Sequence, residues 1–260
     1  MKTIDEVINF ILHGGEQYLH NLTIDCAILG YHDQQLKILL IKQHNQDAWI
    51  LPGGYIQKEE RFSEAANRIL EERTGLSGLF LQQFYTFGDS AYRVKNFTRE
   101  ERQRQVGSWL TLTEDNWLIG RPIAIGYYAL VDYKMVNVQT DLLVEAYQWC
   151  DIKEVPHLLH DHNDMLDKAL ETIRLHLYHQ PIGKHLLPEK FSLPEIHVLY
   201  ETLLGKPLDR RNFPRKLFAL GLLNKLDEQR PLGTQRTSNL YEFNTENYQK
   251  ALDEGIVLVM

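Results

Sequence analysis

The residues best placed to do chemistry fall in one stretch, Gly53-Gly54 followed by Glu59, Glu60, Arg68, Glu71, Glu72, Arg73 and Gly75. On a helix, positions 69, 72 and 73 lie at i, i+3 and i+4 and share a face. That face reads Ile69, Glu72, Arg73, a single carboxylate with a cation beside it. Glu71 points about 100° away from its neighbours and cannot join them. Arg73 is expected to pair with Glu72, or alternatively to meet a phosphate or a sugar hydroxyl. A second charged group lies near the C-terminus, where residues 206–236 hold eight Lys and Arg against three Asp and Glu. A third is His160-Asp161-His162 with Asp164. His160 and Asp164 would share a helix face, but no third ligand is identifiable, so Asp161 reads as a helix N-cap.

Aligned from Gly54, the first stretch resembles the Nudix box, G-x5-E-x7-R-E-U-x-E-E-x-G-U, with U aliphatic. Glu60, Arg68, Leu70, Glu72, Gly75 and Leu76 are in register, whereas Ile69 and Arg73 stand where the box has Glu. The resemblance implies an α/β/α sandwich around a mixed sheet. In the hydrolases of that family the helix carboxylates gather Mg²⁺ against a pyrophosphate, since a hard divalent cation prefers oxygen ligands. With Ile69 and Arg73 in those places the expectation is no catalytic residue, no metal ligand and no cofactor. Mg²⁺ would matter only to a residual hydrolase.

The elements that must position the box follow from pattern. Ile4, Val7, Ile8, Ile11 and Leu12 have helical spacing, giving an N-terminal helix within residues 1–20 that Gly14-Gly15 stops. The apolar runs 22–30 and 36–41, joined by His32-Asp33-Gln34-Gln35, read as a hairpin of buried strands. Trp49 to Pro52 leads to a turn at Gly53-Gly54, and the box helix runs from a cap at Ser63 to Gly75. Strands are expected over 80–88, 121–131 and 145–149, and a helix over 155–178. Residues 89–120 have no period and hold Arg93, Arg99, Arg102 and Arg104, the mark of a surface excursion or a binding loop.

Prolines and a glycine in 180–190 mark a boundary. Ser192-Leu193-Pro194-Glu195 opens a helix with a capping box and Gly205 ends it. A second helix starts at Asn212 as cap. Residues 222–226 and 239–243 then read as short strands around a polar loop, 227–238. Helix, turn, helix and wing outline a winged helix-turn-helix. Its basic residues fall where such a motif meets DNA: Arg210, Arg211, Asn212, Arg215 and Lys216 on the second helix, and Arg230, Thr234 and Arg236 on the wing.

The whole chain, of formal charge −7 at pH 7, is not a protein that coats nucleic acid, though one face can be basic. An apolar fraction of 43% with 24% charged residues indicates globular domains. No apolar run reaches the roughly 20 residues of a membrane span, and the acidic N-terminus is unlike a signal peptide. Cys26 and Cys150 are expected to be buried free thiols. A cytoplasmic protein follows.

Together the halves resemble the Nudix-related transcriptional regulators, bacterial dimeric repressors whose Nudix domain senses a ligand. The segments at 191–195, 204–208 and 210–213 carry the C-terminal part of the likeness. After Phe213, where that family carries a basic residue, this chain has Pro214, followed by Arg215 and Lys216. The resemblance implies a ligand-sensing domain over 1–180 and a DNA-binding domain over 181–260. Its partners would be double-stranded operator DNA, a second copy of the chain, and an ADP-ribose-like nucleotide or a pentose, in control of NAD or sugar metabolism. Arg73, Glu72, Arg121 and Tyr127 are the candidate ligand contacts. The alternative is a divergent Mg²⁺-dependent pyrophosphatase acting on a nucleoside diphosphate derivative.

Overall fold

The computed structural model describes residues 3–44, 46–77, 80–138, 140–232 and 236–258. Contacts divide the chain into two units: 1–29, 37–130 and 134–169 in the first, 30–36, 131–133 and 170–260 in the second. No helix among the described residues is long and apolar enough to cross a membrane.

The first unit opens with α1 (Ile4–His13), capped by Thr3, whose hydroxyl accepts from the Glu6 N–H. The helix is shorter than 1–20: a 3₁₀ turn follows at Gly14–Glu16, and a strand starts at Tyr18. Gly14 and Gly15 do more than stop a helix. A Cβ on either would lie 2.5 Å and 2.7 Å from the Trp117 side chain. β1 (Tyr18–His32) turns through Asp33 and Gln34, both at positive φ, into β2 (Gln35–Gln43). This is the expected hairpin, with Ile24, Ile28, Ile38 and Leu40 wholly buried.

Next comes β3 (Gly53–Gln57), antiparallel to β1 with Gly53 opposite Asp25 and Gly54 opposite Ile24. The two glycines are expected to turn the chain; instead they open a strand, with no room for a Cβ at Gly53 and a tight contact at Gly54. A Cβ at Gly53 would lie 2.1 Å from Asp25 Oδ1 and one at Gly54 3.0 Å from Ile69. α2 (Phe62–Thr74) begins one residue before Ser63. Its N-cap position is Arg61, where Glu64 reaches back to accept the Arg61 N–H at 2.7 Å. Gly75, at φ +71°, closes it in the left-handed conformation that favours glycine.

β4 (Leu81–Phe87), α3 (Ala91–Lys95), α4 (Arg99–Val106), β5 (Ile123–Val131), β6 (Val144–Asp151) and α5 (His162–His176) complete this part of the chain. The sheet order is β4-β5-β1-β2-β6, with β3 also on β1. Buried Ala65, Ala66, Ile69 and Leu70 form the inner face of α2 against β3 and β4. Cys26 is buried, Cys150 half-buried, and both are free. The 89–120 segment is ordered by polar side chains, which explains its lack of period. Gln103 donates to Gly107 O and Leu110 O and accepts from Leu112 N–H, while Arg99 holds Leu112 O. Asn116 and Trp117 donate to Phe10 O and Ile11 O, satisfying carbonyls at the open end of α1. α5 starts at His162, not near 155. His160 lies outside it at φ +62°, so His160 and Asp164 do not share a helix face.

In the second unit α6 (Leu193–Leu204) has its capping box: Glu195 accepts from the Ser192 N–H at 2.6 Å. α7 (Asn212–Ala219) is capped differently from the expectation. Asp209, not Asn212, supplies the carboxylate, accepting from the N–H groups of Arg211 (2.9 Å) and Asn212 (2.7 Å). Pro214 sits in the first turn, where its missing N–H has no partner to lose. The wing strands, β7 (Leu223–Leu232) and β8 (Arg236–Phe243), are longer than the sequence pattern indicated and reach into the expected polar loop. Polar strand positions facing solvent on both sides hide that extension. A last helix, α8 (Thr245–Glu254), was not anticipated; Asn244 caps it and it buries Tyr248 and Ala251.

Candidate ligand cleft and DNA interface

The box helix keeps its loop and loses its metal face. Arg68 donates to Glu60 (2.6 and 3.0 Å), to Tyr55 O (2.8 Å) and to Glu72 (3.2 Å). Glu60 also accepts the Gln57 N–H at 2.6 Å. Burial pushes the Glu60 carboxyl upward, but the Arg68 and Gln57 bonds outweigh it and hold the group below its usual range. Ile69 is buried against Gly54. Arg73 lies 3.7 Å from Asp141, and its Nε is buried with no hydrogen-bond partner. Arg73 therefore faces Asp141, and Glu72 faces Arg68, in place of the expected Glu72–Arg73 pair. Of the three box positions, one presents an apolar group and one a guanidinium, and the remaining carboxylate is shared with Arg68. This donor set does not fit Mg²⁺.

Beside this face two connected cavities, of about 310 Å³ and 140 Å³, meet along Gly53-Gly54-Tyr55, Arg73, Arg102 and Gln105. The smaller has a polar floor. Arg93, 3% exposed, forms a forked pair with Asp161 at 2.7–2.9 Å, and Ser90 donates to the same carboxylate at 2.8 Å. Asp161 thus stands just before α5 but spends its carboxylate on Arg93. Burial raises its pKa and the Arg93 bonds lower it further, to a net position below the usual range. Asp25 Oδ2 is 3.9 Å from both Arg93 Nη2 and His162 Nε2. Burial pushes Asp25 up to about 6 against the pull of Arg93. His162 Nδ1 accepts the Leu51 N–H at 2.9 Å, which puts the proton of the neutral ring on Nε2, toward Asp25. His160 meets the Tyr92 hydroxyl at 3.1 Å. Burial first, and then neighbouring positive groups, press both histidines down to about 3.

Of the residues singled out in the sequence, Arg73 and Glu72 line the cleft together. Arg121 is exposed just ahead of β5, and Tyr127 is a core residue whose hydroxyl donates to Gln83 at 3.3 Å. Sequence reasoning missed Asp25, and it named Arg93 and His162 without assigning either to the ligand cleft. The available signal was the lone acid in the apolar run Leu22-Thr23-Ile24-Asp25-Cys26-Ala27-Ile28.

In the second unit Arg210, Arg211, Asn212 and Arg215 are exposed around the start of α7, with Lys216 half-buried. Arg230 is tied into its own domain, donating to Glu195 and Lys190 O at 2.9 Å each. Arg236 opens β8. Thr234 lies outside the described residues.

Residues 20–172 match the model of the NUDIX domain. The chain belongs to the NUDIX domain family. Residues 183–243 match a second model, the NrtR DNA-binding winged helix domain. The Nudix sandwich with its mixed sheet is thus followed by a winged helix. The ADPR responsive transcriptional repressor NtrR of Acinetobacter baylyi is 26% identical over 87% of this chain and 83% of its own length. The crystal structure of Shewanella oneidensis NrtR complexed with a 27mer DNA aligns over 88% of this chain and 95% of that one, at 27% identity and TM-score 0.67. A MutT/nudix family protein from Enterococcus faecalis shares the fold at 19% identity and TM-score 0.60, over 93% and 94% of the two chains.

Proposed function

We propose that this chain is a transcriptional repressor that binds operator DNA through α7 and the wing and is released by an ADP-ribose-like ligand in the Nudix cleft. The observation that carries this reading is the Ile69–Glu72–Arg73 face. It leaves a Nudix cleft without a carboxylate cluster for Mg²⁺ and lines it with a guanidinium suited to a phosphate. The A. baylyi relative, an ADPR responsive repressor, and the S. oneidensis relative, complexed with DNA, support the two halves of the reading. A pentose offers nothing for Arg73 and Arg102 to neutralise and is the weaker effector. Two copies on a two-fold operator would read it as half-sites, and the ligand would act by favouring one dimer geometry. Such a protein works in the cytoplasm.

The test is anisotropy binding to DNA upstream of the chain's own gene across a salt series, with ADP-ribose and ribose in separate arms. Sequence-specific binding that falls steeply with salt and is released by ADP-ribose is expected. Arg210→Ala with Arg211→Ala should weaken binding and reduce the salt slope by about two. Absence of specific binding, or Mg²⁺-dependent release of AMP and ribose 5-phosphate from ADP-ribose, would overturn the proposal in favour of an adaptor or a pyrophosphatase.

A further inference from the structure

The two cavities differ in size and in chemistry, and that difference orients a ligand with two unlike ends. The larger, about 310 Å³, is walled by Phe10, Tyr18, Tyr55, Trp109 and Val106. Phe10, Tyr18 and Tyr55 belong to a ring cluster with centroids 5.6–6.4 Å apart. Trp109 is 53% exposed, which leaves much of its surface for a partner. Stacking platforms of this kind accept a flat heterocycle. The smaller, about 140 Å³, presents Asp25, Thr23, His160 and His162. There the Asp25 carboxylate and the His162 Nε2–H face each other at 3.9 Å, too far for a direct hydrogen bond. An acceptor and a donor at that separation suit a hydroxyl that donates to one and accepts from the other. Gly53 makes this possible, because any Cβ there would meet Asp25 Oδ1.

Arg73 and Arg102 line both cavities where they join. Arg102 donates Nε to Leu118 O and Nη1 to Gln105, both at 2.9 Å, and lies 4.5 Å over the Phe97 ring. Those contacts fix its guanidinium plane at the junction. Arg102, Gln105 and Trp109 all come from the 89–120 segment, so the unpatterned insertion supplies part of both the junction and the aromatic wall.

We infer that the cleft binds a nucleoside diphosphate sugar in one direction: base in the aromatic cavity, diphosphate across Arg73 and Arg102, and terminal sugar against Asp25 and His162. This rests on the sensor reading above and adds the subsites and the role of the insertion. ADP-ribose, AMP and ribose 5-phosphate are titrated calorimetrically into the full chain. Trp109→Ala, at an exposed position, should weaken ADP-ribose and AMP about tenfold or more and leave ribose 5-phosphate unchanged. Asp25→Asn should weaken ADP-ribose and ribose 5-phosphate and leave AMP unchanged. Thr23→Ala, on the same wall, gives the same pattern should Asp25→Asn fail to fold. The reversed pattern, or equal losses for both fragments with either variant, overturns this orientation while leaving the sensor reading intact. Failure of the unaltered chain to bind ADP-ribose at all overturns both.

Discussion

Lowering the pH from 7 to 5 tests the buried floor of the cleft. His160 and His162 stay neutral in the folded protein, with pKa values near 3 set chiefly by burial. In the unfolded chain each returns to about 6.5. The unfolded state therefore binds more protons below pH 6.5, and stability is lost as pH falls. Each histidine should cost about 1.4 kcal/mol per pH unit below that value, or about 2 kcal/mol at pH 5. Asp25 works in the opposite sense. Its folded pKa of about 6 lies above the unfolded value near 3.9, so protonation favours the folded state between pH 6 and 4. That returns roughly 1 kcal/mol on going from pH 7 to 5. The three groups together predict a net loss of about 3 kcal/mol for the first unit.

Urea midpoints at pH 7, 6 and 5 give the slope, followed by tryptophan fluorescence of the first unit, which holds all four tryptophans of the chain. The informative comparison is with variants, because other groups titrate in the same range. His162→Gln retains an acceptor for the Leu51 N–H but cannot titrate, so its stability should fall less steeply, by about 1.4 kcal/mol per pH unit. Asp25→Asn should fall more steeply, having lost the compensating proton. Parallel curves for the parent and His162→Gln would mean that the folded protein accepts that proton, and the account of the floor would be wrong.

Two further predictions rest on geometry alone. Gly53→Ala puts a methyl group 2.1 Å from Asp25 Oδ1 and 2.7 Å from Ile24 O, and backbone on the neighbouring strand has little room to yield. A loss of about 2 kcal/mol or more in denaturant unfolding is expected, and an unchanged midpoint would refute the close-approach explanation. Asp209→Ala removes the acceptor for the Arg211 and Asn212 N–H groups and should lower winged-helix stability. Because that cap fixes the first turn of α7, DNA affinity should fall as well; thermal melts and anisotropy measure the two effects separately.

How much of this could be read from the sequence depended on what each element uses to hold itself. Elements with a buried apolar face showed their period, as the β1–β2 hairpin, α2 and α6 did. The 89–120 segment is held by Gln103, Arg99, Asn116 and Trp117 donating to backbone carbonyls, and such bonds leave no periodic trace. The wing extends beyond its apolar ends because Asp227, Glu228, Gln229 and Arg230, at successive positions of β7, are polar and exposed. The cleft was legible on its box side and not on its floor. Asp25, Arg93 and His162 come from β1, α3 and the start of α5, which only the fold brings together.

The box itself contains two separable jobs, and the structure divides them by residue. Glu60 and Arg68, with Tyr55 O, staple the loop after β3 to α2, and they are kept. Positions 69 and 73 have no part in that staple. Changing them to Ile and Arg therefore removes metal donors without loosening the loop, and Ile69 adds buried apolar surface under Gly54. A hydrolase frame can lose its cation site this way while its cleft keeps its shape. Arg73 then brings into the cleft a fixed positive charge, which can hold a phosphate but, unlike a metal-bound water, offers no nucleophile to cleave it.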